Sequence, residues 1–184
     1  MAKEKLITNA QLKKFLQDLD RDEYIYLITE IAQACPQARE FLTMKFADNE
    51  NINEVLEKYK QKIADEFFPT RGYGRLNLRE AKKAISDFKK ICSEKSMIID
   101  IMLFYVENCV KFTDSYGDID APFYNSAYSV YNQVIKEINS NDRELYDIFA
   151  NRLKLAAENA CHGWGFYDDM TALYYEIVWL DEYE

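Results

Sequence analysis

Residues 97–112 read MIIDIMLFYVENCVKF, and the reading of this run decides the fold. It is the most apolar stretch of the chain, yet it is shorter than the ~20 residues that span a bilayer. It also carries Asp100, Glu107 and Asn108. A buried core helix over about 96–113 accounts for both features.

Working outward, apolar residues recur at helical spacing almost everywhere. On the N-terminal side, Ala81, Ile85, Phe88 and Cys92 mark a helix over about 78–92, and Val55, Leu56, Tyr59, Ile63 and Phe67 one over about 52–67. Pro36 stops an earlier helix and opens another through Phe41, Leu42 and Phe46. Before it lie the stripes Leu12, Phe15, Leu16, Leu19 and Tyr24, Leu27, Ile28, Ile31. On the C-terminal side, Pro122 sits near the start of a helix carrying Ala127, Val130, Tyr131, Val134 and Ile138. A helix over about 142–161 uses Leu145, Ile148, Phe149 and Leu153, and the last, from about 169, uses Leu173, Tyr174, Ile177 and Val178. Thr8 with Gln11, Asp20 with Glu23 and Asn77 with Glu80 have the spacing of capping boxes. No segment alternates with period two beside turn residues, so no sheet is expected. The expectation is an all-α fold of about nine antiparallel helices, stacked as hairpins in an irregular bundle or short superhelix.

The length of 184 residues fits one domain, 1–184, or at most a tightly joined pair. Hydrophobic residues at 48% with 30% charged residues are globular in balance, and 5 Gly with 3 Pro are too few for a many-turned β chain. The start, MAKEKLITNAQ, lacks the apolar core of a secretory signal. Cys35, Cys92, Cys109 and Cys161 contain no C-x-x-C pair, which fits reduced, buried thiols in a cytoplasmic protein.

Three interhelix segments depart from plain turn chemistry: FFPTRGYGRLN (67–77), TDSYGDIDAPF (113–123) and CHGWGFYDD (161–169). They follow the fourth, sixth and eighth helices, and in an up-and-down array every second connection emerges at the same end. If they meet, Arg71 and Arg75 face Asp118, Asp120 and Asp168, among Tyr73, Tyr116, His162 and Trp164. Such a set of aromatics and convergent charges is what ligand sites look like. Arginine forks on capping aspartates would look the same without any ligand. In that plainer reading Gly163 supplies a left-handed C-cap, Trp164 packs, Gly165 lets the chain turn and Asp168 caps the last helix.

The segments EFFPTRGYGRLNLREAKKAISDFKK, FYVENCVKFTDSYGDIDAPFYNS and GWGFYDDM resemble those of an uncharacterised bacterial family, a small all-helical domain of unknown function. The resemblance runs from about residue 50 onward. It implies a helical fold and a bacterial cytoplasmic origin, and it transfers no catalytic residue.

One histidine rules out a site of several His ligands and the paired Glu-x-x-His of a di-iron bundle. Cys161 and His162 are neighbours, so on a helix they point about 100° apart and cannot pair as nucleophile and base. Asp114, Asp118 and Asp120 lack calcium-loop spacing, and RGYGR lacks the spacing of a phosphate loop. No catalytic residue, metal or cofactor is therefore assigned. The formal charge is −9, but residues 58–90 carry a net +6, leaving −15 elsewhere. Nucleic acid is disfavoured as a partner by that −15, and no segment points to a membrane. The expected role is non-catalytic binding of a protein or peptide, with a basic protein the partner that suits the acidic C-terminal part. Two alternatives stay open: a small-ligand protein or enzyme using the three-loop face, and an acidic inhibitor of a basic toxin or nuclease.

Overall fold

The computed structural model describes residues 6–72 and 74–180. Among them the chain is all-α, with nine helices and no strand: α1 Asn9–Leu16, α2 Arg21–Ala34, α3 Pro36–Phe46, α4 Asn49–Phe67, α5 Leu78–Ile91, α6 Lys95–Tyr116, α7 Ala121–Asn139, α8 Arg143–Glu158 and α9 Phe166–Tyr174. They fall into two compact units, 1–46 and 47–184.

In the larger unit, α6 is the helix the others cover. Ile99, Ile101, Met102, Leu103, Tyr105, Val106 and Cys109 are fully enclosed, as an all-round apolar helix requires. The packing partners of α6 are α4, α5, α7 and α8, and α9 closes against α7 and α8. The helices thus follow hairpin order from α4 to α7. Then α8 leaves that order and packs on α6 and α9, because α6 has apolar surface on more sides than its sequence neighbours can cover.

The two acidic side chains of the apolar run lie one heptad apart and share a stripe. Arg152 of α8 donates Nε and Nη2 to Glu107 at 2.7 and 2.9 Å and Nη1 to Asp100 at 2.5 Å. Lys60 of α4 reaches the other oxygen of Asp100 at 2.7 Å. Burial works against charge on Lys60 and Arg152, but hydrogen bonds to these carboxylates outweigh it and hold both pKa values above their ordinary range. This chain of ions ties α4 and α8 to α6. Its members are only partly exposed, so it contributes more than a surface pair.

The local start signals work as their spacing demands. Thr8 and Asp20 form complete capping boxes with Gln11 and Glu23. Asp48, Asp120 and Asp142 cap α4, α7 and α8, and Pro36 and Pro122 sit in first turns. Asn77 supplies half of the expected box: its side chain accepts from Glu80 N at 3.3 Å, while its own N–H goes to Glu66 Oε2. Glu66 wins because it also anchors the loop through Leu76 N–H to its carbonyl.

The smaller unit differs in kind. Helices α2 and α3 pack together, and the Tyr24 hydroxyl donates to the carbonyl of Leu16. Yet no side chain between residues 6 and 46 is buried. The stripes expected to face a core leave Leu12, Phe15, Tyr24, Ile28 and Ile31 exposed.

Candidate functional site

The loops after α6 and α8 meet in the larger unit, and the first residue after α4 packs on the last turn of α6. Phe68, at the end of α4, stacks on Tyr116 with ring centres 6.2 Å apart, and Phe112 lies 4.6 Å from Tyr116. The third loop joins through Asp118. Its Oδ1 accepts from the Tyr124 hydroxyl at 2.5 Å and its Oδ2 from the Trp164 indole at 2.9 Å. Tyr124 is buried, and its oxygen accepts in turn from Ile119 N–H at 3.1 Å and the Cys161 thiol at 3.4 Å.

Backbone geometry at CHGWGFYDDM serves this latch. Residues 163–165 form a 3-10 turn in which Trp164 (φ 56°) and Gly165 (φ 71°) are left-handed. A left-handed residue other than glycine costs roughly 1–2 kcal/mol, and here that cost orients the indole toward Asp118. Two expectations about this corner need correction. Gly163 is not a left-handed C-cap, since α8 already ends at Asn159 (φ −91°). Glycine is required there by close approach: a Cβ would lie 2.5 Å from Asp118 Oδ1. Asp168 does not cap α9 either. Gly165 holds the N-cap position, and Asp168 and Asp169 sit in the first turn, where negative charge suits the helix dipole.

The other residues singled out in the sequence take separate places. Asp120 is occupied in capping α7, accepting from Phe123 N at 3.0 Å. Tyr116 and Trp164 are about 60% exposed and form an aromatic rim. His162 is exposed beyond the end of α8, its ring 4.5 Å from that of Tyr167. Arg71 and Arg75 are exposed and make no ion pair among the described residues. The arginine forks on Asp118, Asp120 or Asp168 therefore do not form. The cause is local: both Asp118 oxygens are taken, and the loop is pinned where Gly74 passes so near the Glu66 and Phe67 carbonyls that a Cβ would sit 2.4 Å from Phe67 O. Tyr73 lies outside the described residues.

Sequence reasoning missed Tyr124, which organises the cluster from the first turn of α7. No spacing rule announces it, because its partners lie six and 37 residues away. Chemically the cluster is suited to holding loops together. Burial, with the hydrogen bonds to Asp118 and Cys161, pushes the Tyr124 phenol well above its ordinary range, so it keeps its proton at neutral pH. Among the described residues, no group of three or more His, Cys, Asp or Glu side chains is placed to hold a metal ion.

A family model matches residues 7–177. The chain belongs to DUF6155, a family of unknown function. The match takes in α1–α3 as well as the larger unit, so it begins some forty residues nearer the N-terminus than the resemblance, which ran from about residue 50. No curated protein and no solved structure matches the chain. Among the described residues no helix is long and apolar enough to cross a membrane.

Proposed function

We propose that this DUF6155 member is a non-catalytic helical module that binds another protein through α1–α3. The observation that carries the reading is the exposure of that unit. Within residues 6–46, eleven large apolar side chains are exposed, among them Phe15 at 65%, Tyr26 at 70% and Phe46 at 83%; residues 47–180 expose six. A piece of about forty residues rarely sustains a core alone, and large apolar side chains left uncovered in this density suit a surface that a partner covers. The stripes are helical in spacing and capped at their starts, so the sequence invests in presenting them.

The three-loop face supports an enzyme less well, because its carboxylate and phenol are engaged with one another. A bacterial cytoplasmic setting remains part of the proposal. It is supported by the four cysteines, all free thiols.

The test is photo-crosslinking in cells, with a crosslinking amino acid at Phe15 or Phe46 and, for comparison, at Ile148 on α8. Discrete protein adducts from the first two positions and none from Ile148 are expected. Adducts that are absent at Phe15 and Phe46, or alike at all three, would defeat the reading.

A further inference from the structure

Helices α5 and α7 both pack on α6, and a groove runs between them. It comprises two adjoining hollows of about 250 and 550 Å³ that share Lys82 and Ser86. Ile85, Met102 and Val130 are buried beneath the first, and Leu78 and Pro122 line the second with apolar surface that solvent reaches. Along the α5 wall, Arg79, Lys82, Ser86 and Lys89 follow one another at intervals of three, four and three, a single helical stripe.

The cations of this stripe are unlike their neighbours. Lys83 pairs with Glu80 at 3.6 Å and Lys90 with Asp87 at 2.6 Å. Arg79, Lys82 and Lys89 have no carboxylate within ion-pair distance among the described residues. Lys89 is only partly exposed, and burial pulls its pKa below the ordinary lysine range. The closest compensating carboxylate, Glu137, is committed to Lys95 at 2.7 Å. The facing wall of α7 adds Pro122, Ser126 and Gln133 to the two hollows, and the acid it brings toward Lys89 is the Glu137 already paired with Lys95. A half-buried, uncompensated cation is a standing cost that an incoming carboxylate would remove.

We propose that this groove docks an acidic amphipathic helix from a partner protein, its carboxylates meeting Arg79, Lys82 and Lys89 and its apolar side chains packing on Leu78 and Pro122. The stripe spans eleven residues of α5, Arg79 to Lys89, about 15 Å of helix, which matches roughly three turns of a ligand helix laid in a groove. A free phosphate would need no apolar surface. A nucleic acid would have to run on past these three cations across a molecule of net charge −9. The groove and the α1–α3 face are separate surfaces, so this proposal does not depend on the preceding one.

The experiment uses the full chain and a fluorescein-labelled helical peptide of about 14 residues, with Glu at intervals of three, four and three and Leu along the adjacent stripe. Fluorescence anisotropy is expected to report binding that weakens by about tenfold or more in Lys82→Glu/Lys89→Glu. Lys62→Glu/Lys90→Glu, with the same change of charge, should weaken it less than about twofold. Gln in place of Glu in the peptide should abolish it. Far-UV circular dichroism checks that both variants are folded, with Lys82→Gln/Lys89→Gln as the replacement if the first is not. The proposal is overturned by no binding up to about 1 mM, by equal losses in the two variants, or by equal binding of the Gln peptide. It is also overturned if a single-stranded DNA oligomer of equal charge binds more tightly through the same lysines.

Discussion

Gly163→Ala tests the latch between the α6–α7 and α8–α9 loops. The new methyl would sit 2.5 Å from Asp118 Oδ1, 3.1 Å from its Cγ and 3.5 Å from the Tyr124 hydroxyl. Normal contact requires the carboxylate to retreat by about 1 Å, which its two hydrogen bonds oppose. Bonds to a charged acceptor contribute about 1.5–3 kcal/mol, so the loss of one sets the expected destabilisation at about 2 kcal/mol. For a protein of this size that lowers Tm by roughly 4–8 °C, measured by calorimetry or a urea titration. The decisive assay is a double-mutant cycle with Asp118→Ala, which removes the atoms the methyl would strike. In that background Gly163→Ala should cost less than about 0.5 kcal/mol, a strongly non-additive pair. Gly165→Ala is the control. A Cβ there has open space but inherits φ 71°, so it should cost about 1 kcal/mol in either background. If Gly163→Ala costs the same with and without Asp118, close approach is not the reason for glycine at 163.

Arg152→Met strands Glu107, leaves Asp100 with Lys60 alone, and should destabilise by about 2 kcal/mol, between the values for exposed and buried pairs; urea unfolding with an unchanged midpoint would contradict the ion chain. Burial raises the phenols of Tyr105, Tyr124 and Tyr131 and the Cys109 thiol. Folded pKa values above the unfolded ones mean stability that is full below about pH 8–9 and falls as pH rises past the unfolded pKa values near 9 and 10. Absorbance at 295 nm should show a set of the 14 tyrosines ionising only with unfolding, and reversible titration of all of them in the folded protein would refute this. Asp20→Ala removes one side of the α2 capping box and should cost about 1 kcal/mol, read as faster amide exchange across Asp22–Thr29; unchanged exchange there would count against a cap that matters. His162→Gln should shift stability by no more than about 0.5 kcal/mol, since the ring is exposed and meets only Tyr167; a larger change in the urea midpoint would reveal a role that the geometry does not account for.

The elements were legible because their signals are local. A Thr, Asp or Asn three residues before a donor N–H satisfies it wherever the helix ends up, and the Asp20–Glu23 box forms as its spacing demands. The run at 97–112 announced the central helix because so few polar side chains interrupt it. That the loops after α6 and α8 share an end could be reasoned from alternation, but which side chains would touch could not. Asp118 finds Trp164, 46 residues away, where opposite charge suggested Arg71 or Arg75. Charge attraction at a wet surface is weak, and the close passage of Gly74 beneath two backbone carbonyls decided where that loop runs. Gly163 was singled out for the wrong reason. A glycine at a helix end is as consistent with a close neighbour as with a positive φ, and only the neighbour's position separates them.

The stripes of α1–α3 and those of α4–α9 have the same period and the same residue types, yet most of the second set is buried, with Ile148 and Val178 exposed, and none of the first is. Periodicity tells which face of a helix needs cover, because it records where water is unfavourable. It does not tell what provides the cover. For α4, α5, α7 and α8 the cover is α6. For Leu12, Phe15, Ile28 and Ile31 it is not found among residues 6–46, where nothing is buried. Those residues nevertheless lie inside the family match, which begins at residue 7. An appended tail free to drift would have little reason to keep two capping boxes and apolar positions in helical register. Both features are expected if the partner that completes the face is part of what the protein is for, and the crosslinks at Phe15 and Phe46 ask for that partner directly.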